Sequence, residues 1–355
     1  MRNLINLSNK LGKMVIVFAT LTALSVAGGG ALAYSAETLI PMGNTIGINL
    51  LSEGVMVVGV PEMLADGKSE SPARGAGLLA GDIITKIGKL AISSGDDMKA
   101  AIAKLDGTQI PVTVMRGGNV MDYMVTPHQA EDGHFELGLW MRDGVAGIGT
   151  LTFFDPQTGF FGALGHSVND IETGVSIPMR TGTVTRSVVT DVVQGKAGLP
   201  GQLHGTFNLD SVLGTLSINS PCGIFGKMSE KDMVKGKKPM MTADDSEIKT
   251  GLAVILSNVS GTDVKEYEVE VTRIYTGAEA IGRSLMLRVT DEDLIAQTGG
   301  IVQGMSGSPI IQDGKIIGAV THVLVNDPTR GYGISIEKML GMIENTENKA
   351  ENNAA

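Results

Sequence analysis

The chain has few cysteines, few histidines and fewer basic than acidic residues. Its single cysteine, Cys222, excludes internal disulfides, CxxC redox chemistry and a cysteine-based zinc site. The five histidines include no pair at metal-ligand spacing, so we expect neither a metal nor a cofactor. The 28 basic and 38 acidic residues give a formal net charge of −10, which argues against nucleic-acid binding because proteins of that class carry a basic face.

Glycine, by contrast, is abundant, with 48 residues in a chain of 355. Because these glycines follow no G-X-Y period, the chain is not collagen-like, and their number predicts a β-rich protein with many tight turns. Hydrophobic residues make up 43% and charged residues 19%, which is enough apolar material for folded cores and too little charge for a disordered chain. The length predicts two domains and an additional segment.

The amino terminus has the features of an export signal. Residues 1–13 carry basic but no acidic side chains, and an uncharged, largely apolar run extends from Met14 to Ala33. As a helix, this run is just long enough to span a bilayer. The triplet Ala31-Leu32-Ala33 matches a small-x-small cleavage site, so residues 1–33 are either a cleaved signal peptide or a retained membrane anchor. In both cases we expect the remainder of the chain to lie outside the cytoplasm.

Short strands and one helix predict a first domain at residues 41–127. The hydrophobic patterns place strands at Gly54–Val60, Ile83–Ile87, Ile110–Arg116 and Val120–Thr126, and a helix at Gly95–Leu105.

The segment from Ser71 to Ile84 resembles the signature of PDZ domains through its run Ala-Gly-Leu-x-x-Gly-Asp-Ile-Ile. The resemblance implies that the preceding stretch Thr45-Ile46-Gly47-Ile48 is a carboxylate-binding loop. In such a loop Ile46, Gly47 and Ile48 would offer backbone N–H groups to the end of a peptide that adds a strand to the sheet. Peptide tails are therefore expected partners of this domain.

A second domain is predicted at residues 135–340. Strand patterns at Leu252–Ser257, Glu266–Tyr275 and Ser284–Val289 are separated by glycine turns, and helices are few, which favours a barrel or sandwich over an α/β fold. The polar tail at residues 344–355 is expected to fray.

Two motifs in this second domain point to nucleophilic catalysis. Ser306 stands between glycines in Gly304-Met305-Ser306-Gly307-Ser308-Pro309, so the backbone can turn sharply and expose the serine hydroxyl. A serine needs a base within hydrogen-bond reach, and His166 in Gly162-Ala163-Leu164-Gly165-His166-Ser167 is the candidate. The order of histidine and serine, together with the Gly304–Pro309 motif, resembles the trypsin-like clan of β-barrel proteases.

The succession of motifs resembles one family in particular. The PDZ-like region is followed by Gly-His-Ser, Val-Thr-Asp, Gly-Gly-Ile-Val-Gln-Gly-Met-Ser-Gly-Ser-Pro-Ile-Ile and Thr-His-Val-Leu-Val-Asn-Asp-Pro. This order is similar to that of the stage IV sporulation protein B peptidases, the SpoIVB family of endospore-forming bacteria, and the stretch from Val289 to Tyr332 is its most specific part. Proteases of the HtrA type differ, because their PDZ domain follows the protease domain.

The family resemblance implies a triad of Ser306 as nucleophile, His166 as general base and Asp291 as the acid. The trypsin-like clan implies an oxyanion hole made by the backbone N–H groups of Gly304 and Ser306. Asp291 fits the clan's barrel template poorly, since the acid normally lies far upstream of the serine, and Thr290 or Asp291 could instead cap a short helix. Four other aspartates are alternatives for the acid: Asp170, Asp191, Asp210 and Asp293.

Other residues are weaker candidates. Ser308 stands where the clan motif has its last glycine, and Cys222 is an isolated cysteine of the kind that is usually buried. His204 and His322 are read as structural or substrate-facing.

The resemblance implies an exported serine endopeptidase that acts as a sporulation signalling protease. Such an enzyme is made in the forespore, enters the space between forespore and mother cell, and cleaves itself near its amino terminus. It cuts the regulatory subunit of an intramembrane metalloprotease, so that a late mother-cell sigma factor is processed. Two alternatives stay open, namely a non-catalytic PDZ adaptor with a degenerate protease domain and an HtrA-like quality-control protease.

Overall fold

The computed structural model describes residues 38–65, 68–277 and 282–343. The predicted export segment at residues 1–33 and the tail at residues 344–355 lie outside these ranges. Among the helices within them, none has both the length and the apolar character needed to cross a membrane.

Strands dominate the described chain. The first eleven are β1 (Thr38–Pro41), β2 (Thr45–Gly59), β3 (Met63–Ala65), β4 (Lys68–Glu70), β5 (Ile83–Ile87), β6 (Leu90–Ala91), β7 (Ile110–Arg116), β8 (Asn119–Val125), β9 (His128–Gln129), β10 (Phe135–Glu136) and β11 (Trp140–Phe154). The remaining eleven are β12 (Phe160–Ala163), β13 (Met179–Val193), β14 (Gln202–Ser220), β15 (Gly223–Met228), β16 (Met240–Met241), β17 (Gly251–Ser257), β18 (Lys265–Ile274), β19 (Leu285–Val289), β20 (Pro309–Gln312), β21 (Lys315–Leu324) and β22 (Asp327–Ser335).

Helices are short and few in the described ranges. They are α1 (Pro72–Ala76), α2 (Gly95–Ile102) and α3 (Glu292–Thr298), with 3₁₀ turns at Asp232–Val234 and Asp245–Glu247 and a helical stretch at residues 336–343.

A first barrel forms from six antiparallel strands. Pairing runs from β11 through β12, β15, β14 and β13 to β2, and β2 pairs in turn with β11, so that the ring closes. The inward side chains of these strands form a continuous apolar core that includes Ile46, Leu50, Leu151 and Phe161. Closure satisfies most of the backbone groups that an open sheet would leave at its edges, although β12 covers β11 only from Leu151 onwards.

The PDZ-like unit interrupts this barrel between β2 and β11. The carboxyl-terminal part of β2 leaves the barrel at Val55 and pairs with β5, which continues the sheet to β7 and β8. This part of the sheet and the helices α1 and α2 enclose a separate apolar core with Val57, Leu78 and Met98. The first half of β2, which the prediction placed in the first domain, therefore packs in the first barrel.

A second barrel follows in the chain, with the closed order β17, β18, β19, β22, β21 and β20. Its core includes Ile255, Val269, Leu287 and Ile310. The architecture is therefore mainly β, with a PDZ-like unit and a trypsin-like pair of barrels, as the sequence predicts. Of the predicted elements, Ile83–Ile87 and Ile110–Arg116 are confirmed with identical bounds.

Candidate active site

His166 follows the first-barrel strand β12 through a left-handed turn. Leu164 and Gly165 have φ angles of 68° and 72°, and a side chain at Gly165 would come within 2.8 Å of Thr321 in the second barrel. Glycine is thus needed at this position for two reasons, namely the positive φ angle and the close approach of the two barrels. The turn places His166 at the junction between them.

Ser306 precedes the second-barrel strand β20 and lies in a turn bounded by Gly304 and Gly307, whose φ angles are 100° and 99°. This turn is fixed to the first barrel by Thr150, which donates its N–H to the Ser306 carbonyl at 2.9 Å and its hydroxyl to the Gly304 carbonyl at 2.8 Å. The nucleophile turn is therefore held against the barrel that carries the histidine.

The two candidate residues line one cleft of about 850 Å³ between the barrels. His166 comes from the first barrel and Ser306 from the second, and Thr321 and His322 of β21 complete this part of the wall. The sequence motifs are far apart in the chain, and folding brings them together.

Hydrogen bonding fixes the protonation state of His166. Its Nδ1 lies 2.8 Å from the carbonyl oxygen of Ser167. Because a carbonyl only accepts, Nδ1 carries the hydrogen of the neutral ring and Nε2 keeps its lone pair. Burial lowers the pKa of His166, and the bond to Ser167 opposes this shift without reversing it. The ring is therefore a neutral base at pH 7, oriented by a backbone carbonyl in the way that a triad carboxylate orients its histidine.

Ser306 is in a resting arrangement. Its Oγ donates to the carbonyl oxygen of Thr321 at 2.7 Å, and no hydrogen bond joins it to His166. Attack on a substrate requires the hydroxyl to leave this carbonyl and turn towards the histidine.

The two backbone N–H groups that were predicted to form the oxyanion hole donate to no protein atom of the described ranges. Within the described ranges, neither the Gly304 N–H nor the Ser306 N–H donates to a protein atom, and both residues line the cleft. Free backbone donors beside a nucleophile are what an oxyanion hole requires.

Asp291 does not join this constellation in the structure. Its carboxylate accepts the Leu294 N–H at 2.8 Å as the amino-terminal cap of α3, and it also accepts the Glu268 N–H at 3.3 Å. The predicted triad role for Asp291 is thus not supported by the geometry, whereas the capping alternative is confirmed. The physical reason is local, because the first turn of a helix leaves N–H groups that a nearby aspartate satisfies.

No other described carboxylate takes the acid's place. Asp191, Asp210 and Asp293 are exposed, and none of them hydrogen-bonds to His166. Asp170 lines the cleft but is engaged by Arg142 at 2.9 Å and by Thr173. Burial opposes its ionisation, but these partners hold the pKa of Asp170 below its ordinary value.

His322 lies beside His166, a position that the sequence did not reveal. Its ring centre lies 5.0 Å from that of His166, and its Nδ1 is buried without a hydrogen-bond partner. Burial, followed by the effects of His166 and Arg283, lowers the pKa of His322 to about 4. The ring is neutral at pH 7 and adds no charge beside the base. Its one sequence signal is the Thr-His pair after the serine motif.

The family comparison covers most of this architecture. A model of the family "SpoIVB peptidase S55" matches residues 133–340, which is more than half of the chain. The chain belongs to the SpoIVB peptidase S55 family. A PDZ-domain model matches residues 45–126. This S55 protein is therefore a serine peptidase with a PDZ domain.

Solved structures give more distant similarities. The active form of the Rv3671c protease from M. tuberculosis has 15% identity and a TM-score of 0.32, over 56% of this chain and 73% of that one. The HtrA-type protease AlgW with a tripeptide has 13% identity and a TM-score of 0.34, over 56% and 55%. Deg5 has 16% identity and a TM-score of 0.31, over 55% and 80%. No curated protein matches the chain.

The predicted PDZ loop is wrong for this S55 peptidase. Ile46, Gly47 and Ile48 lie inside β2, where both strand edges are occupied, by β11 on one side and by β13 on the other. Ile46 and Ile48 are buried in the first barrel. Gly47 lacks a side chain because a Cβ there would overlap the ring of Phe207. Close packing therefore accounts for the glycine that suggested a carboxylate-binding loop.

The weaker nucleophile candidates lie outside the cleft. Ser308 is fully buried, and its hydroxyl has no partner. Cys222 is buried, and burial raises the pKa of its thiol, which disfavours the reactive thiolate. Among the described residues, no three His, Cys, Asp or Glu side chains are grouped as metal ligands.

The two roles of Asp291 can be separated by two substitutions. We expect Asp291→Ala to lower the free energy of unfolding by about 1 kcal/mol through loss of the α3 cap, and Asp291→Asn to keep the cap. We expect kcat/KM of both variants to stay within about threefold of wild type, whereas an asparagine in place of a triad acid costs about 10⁴-fold. Urea unfolding and peptidase kinetics measure the two effects. A collapse of kcat/KM in the folded Asp291→Asn protein would restore Asp291 to the triad.

Proposed function

We propose that this S55 peptidase is an exported serine endopeptidase that acts as a signalling protease of sporulation. The observation that carries the catalytic part is the meeting of His166, Ser306 and two free backbone donors in one cleft. Family membership supports the signalling part.

The chemistry is acyl transfer followed by hydrolysis. Nε2 of His166 takes the proton from Ser306 Oγ as that oxygen attacks the scissile carbonyl carbon. The N–H groups of Gly304 and Ser306 stabilise the oxyanion that forms. The C–N bond then breaks, the imidazolium returns the proton to the leaving amine, and water releases the acyl group from Ser306 by the same steps in reverse order.

The substrates in this proposal are proteins at a membrane. The enzyme is made in the forespore, residues 1–33 export it or anchor it, and it cleaves itself near its amino terminus. In the space between forespore and mother cell it cuts the regulatory subunit of an intramembrane metalloprotease, which then processes a late mother-cell sigma factor. Peptide tails are further proposed partners of the PDZ domain, at a place other than Ile46–Ile48.

The experiment compares three purified proteins, namely wild type, Ser306→Ala and Ser308→Ala. Each is incubated alone, with the regulatory subunit and with unfolded casein, and the fragments are identified by mass spectrometry. We expect wild type and Ser308→Ala to yield the same fragments of themselves and of the regulatory subunit, and Ser306→Ala to yield none. Ser308 is a matched control because it is a neighbouring serine whose buried hydroxyl has no partner.

The other outcomes are equally specific. Equal fragments from wild type and Ser306→Ala would contradict the assignment of the nucleophile. Intact proteins in all mixtures would favour the adaptor alternative. Rapid, unselective digestion of casein would favour a quality-control protease over a signalling one.

A further inference from the structure

One edge of strand β11 is unpaired where it passes the catalytic cleft. From Trp140 to Gly149 this strand pairs with β2 on one side only. On its other side the backbone of Thr150 bonds to Ser306 and Leu164, and β12 joins from Leu151 onwards. Within the described ranges, no other strand or bridge covers the edge before Leu151. An unpaired edge presents alternate N–H and C=O groups that an extended peptide can bind.

The same stretch of β11 is a wall of the cleft. Arg142 and the five residues Gly144–Ile148 line it together with His166 and Ser306. Ala146 and Gly147 are exposed, and a side chain at Gly147 would meet no protein atom within 4 Å. Seven residues of strand, Arg142–Ile148, extend over about 23 Å. The edge therefore leads from the catalytic pair to the junction with the PDZ-like unit, where Asp143 accepts the Gly95 N–H of α2 at 2.8 Å.

The chemistry of the cleft selects against charged segments. Among the described residues that line it, the charged side chains are Arg142 and Asp170, and they pair with each other at 2.9 Å. Arg142 also binds Glu172. The remaining wall is largely apolar, and its rim includes Ile171 and Val325, whose side chains are 87% and 48% exposed. A charged substrate side chain would lose water here without gaining a free partner of opposite charge.

We propose that substrates dock as an extended, uncharged and largely apolar segment that adds a strand to the Arg142–Ile148 edge of β11. The inference rests on the proposed peptidase function, whose site it shares. Main-chain hydrogen bonds to β11 hold the register of the segment, and its apolar side chains pack against the cleft walls. The substrate class is thus an apolar stretch of polypeptide in open, extended form rather than a charged or helical one.

The binding test uses Trp140, the single tryptophan of the chain, which lies at the start of this strand and is 64% exposed. Full-length Ser306→Ala protein is titrated with two pools of dansyl-labelled decapeptides. One pool is randomised among uncharged apolar residues and the other among Asp, Glu, Lys and Arg. We expect energy transfer from Trp140 to the apolar pool at a Kd at least tenfold lower than for the charged pool. Equal affinities, or no transfer with either pool, would overturn the proposal.

A pair of proline variants tests the strand edge itself. Ala146→Pro and Gly147→Pro remove neighbouring N–H groups, of which one faces β2 and the other the free edge. We expect one variant to keep the wild-type melting temperature within a few degrees and the other to lose stability, since proline is tolerated at a free edge and not inside a ladder. The stable variant should raise the Kd of the apolar pool about tenfold.

The contrary results are distinct from failure of the peptidase function. An unchanged Kd in the stable variant would contradict strand addition, as would loss of folding in both variants. Wild-type cleavage of the two peptide pools is measured in parallel. Tight apolar binding without Ser306-dependent cleavage would contradict the peptidase function but not the docking site. Equal Ser306-dependent cleavage of both pools would contradict the docking proposal but not the peptidase function.

Discussion

Replacing His166 with glutamine is expected to lower kcat/KM for Ser306-dependent cleavage by about 10⁴-fold or more. Glutamine keeps a polar group in the cleft but has no nitrogen lone pair that can take the Ser306 proton. The Ser167 carbonyl leaves Nε2 of His166 as the basic nitrogen in the structure, so the loss is chemical rather than conformational. Kinetics on a peptide that the wild-type protein cleaves measure the effect, and circular dichroism verifies the fold.

His204→Gln is the matched control, because His204 is an exposed histidine of the same barrel on β14. Its kcat/KM should equal that of wild type.

The pH profile gives a second check, since catalysis needs neutral His166 and burial lowers the pKa of this group. Activity should therefore persist as the pH falls through 6.5 and be lost only below that value, as the lowered pKa is crossed. A midpoint above 6.5, or a fully active His166→Gln protein, would exclude His166 as the base.

The two candidate residues that meet in the cleft could be picked out from the sequence because their signal is local. Ser306 and His166 each stand in a glycine-rich turn, and the glycines are needed for positive φ angles and close approach at those same positions. The strands β5 and β7 could also be predicted from the sequence, because both are short runs rich in β-branched residues.

The errors have a different origin, in long-range pairing. The local sequence of Ile46–Ile48 resembles the start of a PDZ strand. In the structure, however, β11 and β13, which lie far along the chain, pair with the two edges of β2. Similarly, the Val-Thr-Asp motif suggests a triad acid, but α3 begins at the next residue and takes the Asp291 carboxylate as its cap. A pattern within a few residues does not indicate which distant strand pairs with β2, or whether the Asp291 carboxylate caps a helix or orients a histidine.

The interrupted barrel links the PDZ-like unit to the catalytic cleft through two continuous strands. β2 and β11 each pass from the core of that unit into the first barrel, and β11 then forms a wall of the cleft. The PDZ-like unit is thus joined to the first barrel by continuous strands rather than by a flexible linker.

Replacing Gly307 with alanine is expected to lower the free energy of unfolding by about 3–5 kcal/mol and kcat/KM by at least about 10²-fold. Gly307 follows the nucleophile, and its φ of 99° is unfavourable for alanine. A Cβ there would also overlap the Thr150 carbonyl oxygen and approach the Leu164 nitrogen to 2.6 Å. Both are backbone atoms of the barrel that carries His166, so they cannot rotate away. The clash must push the two barrels apart at the catalytic junction, and a displacement of about 1 Å suffices for such a loss of rate.

Gly314→Ala separates the clash from the backbone strain. Gly314 lies in the turn between β20 and β21 with a φ of 75°, and an added Cβ would meet nothing within 4 Å. It should therefore cost only the left-handed penalty of about 1–2 kcal/mol and leave kcat/KM unchanged. Urea unfolding and kinetics on both variants measure the two contributions. If Gly307→Ala were no more harmful than Gly314→Ala, the nucleophile turn would not be clamped between the barrels, and the Thr150 bonds to Ser306 and Gly304 could not be what holds it in place.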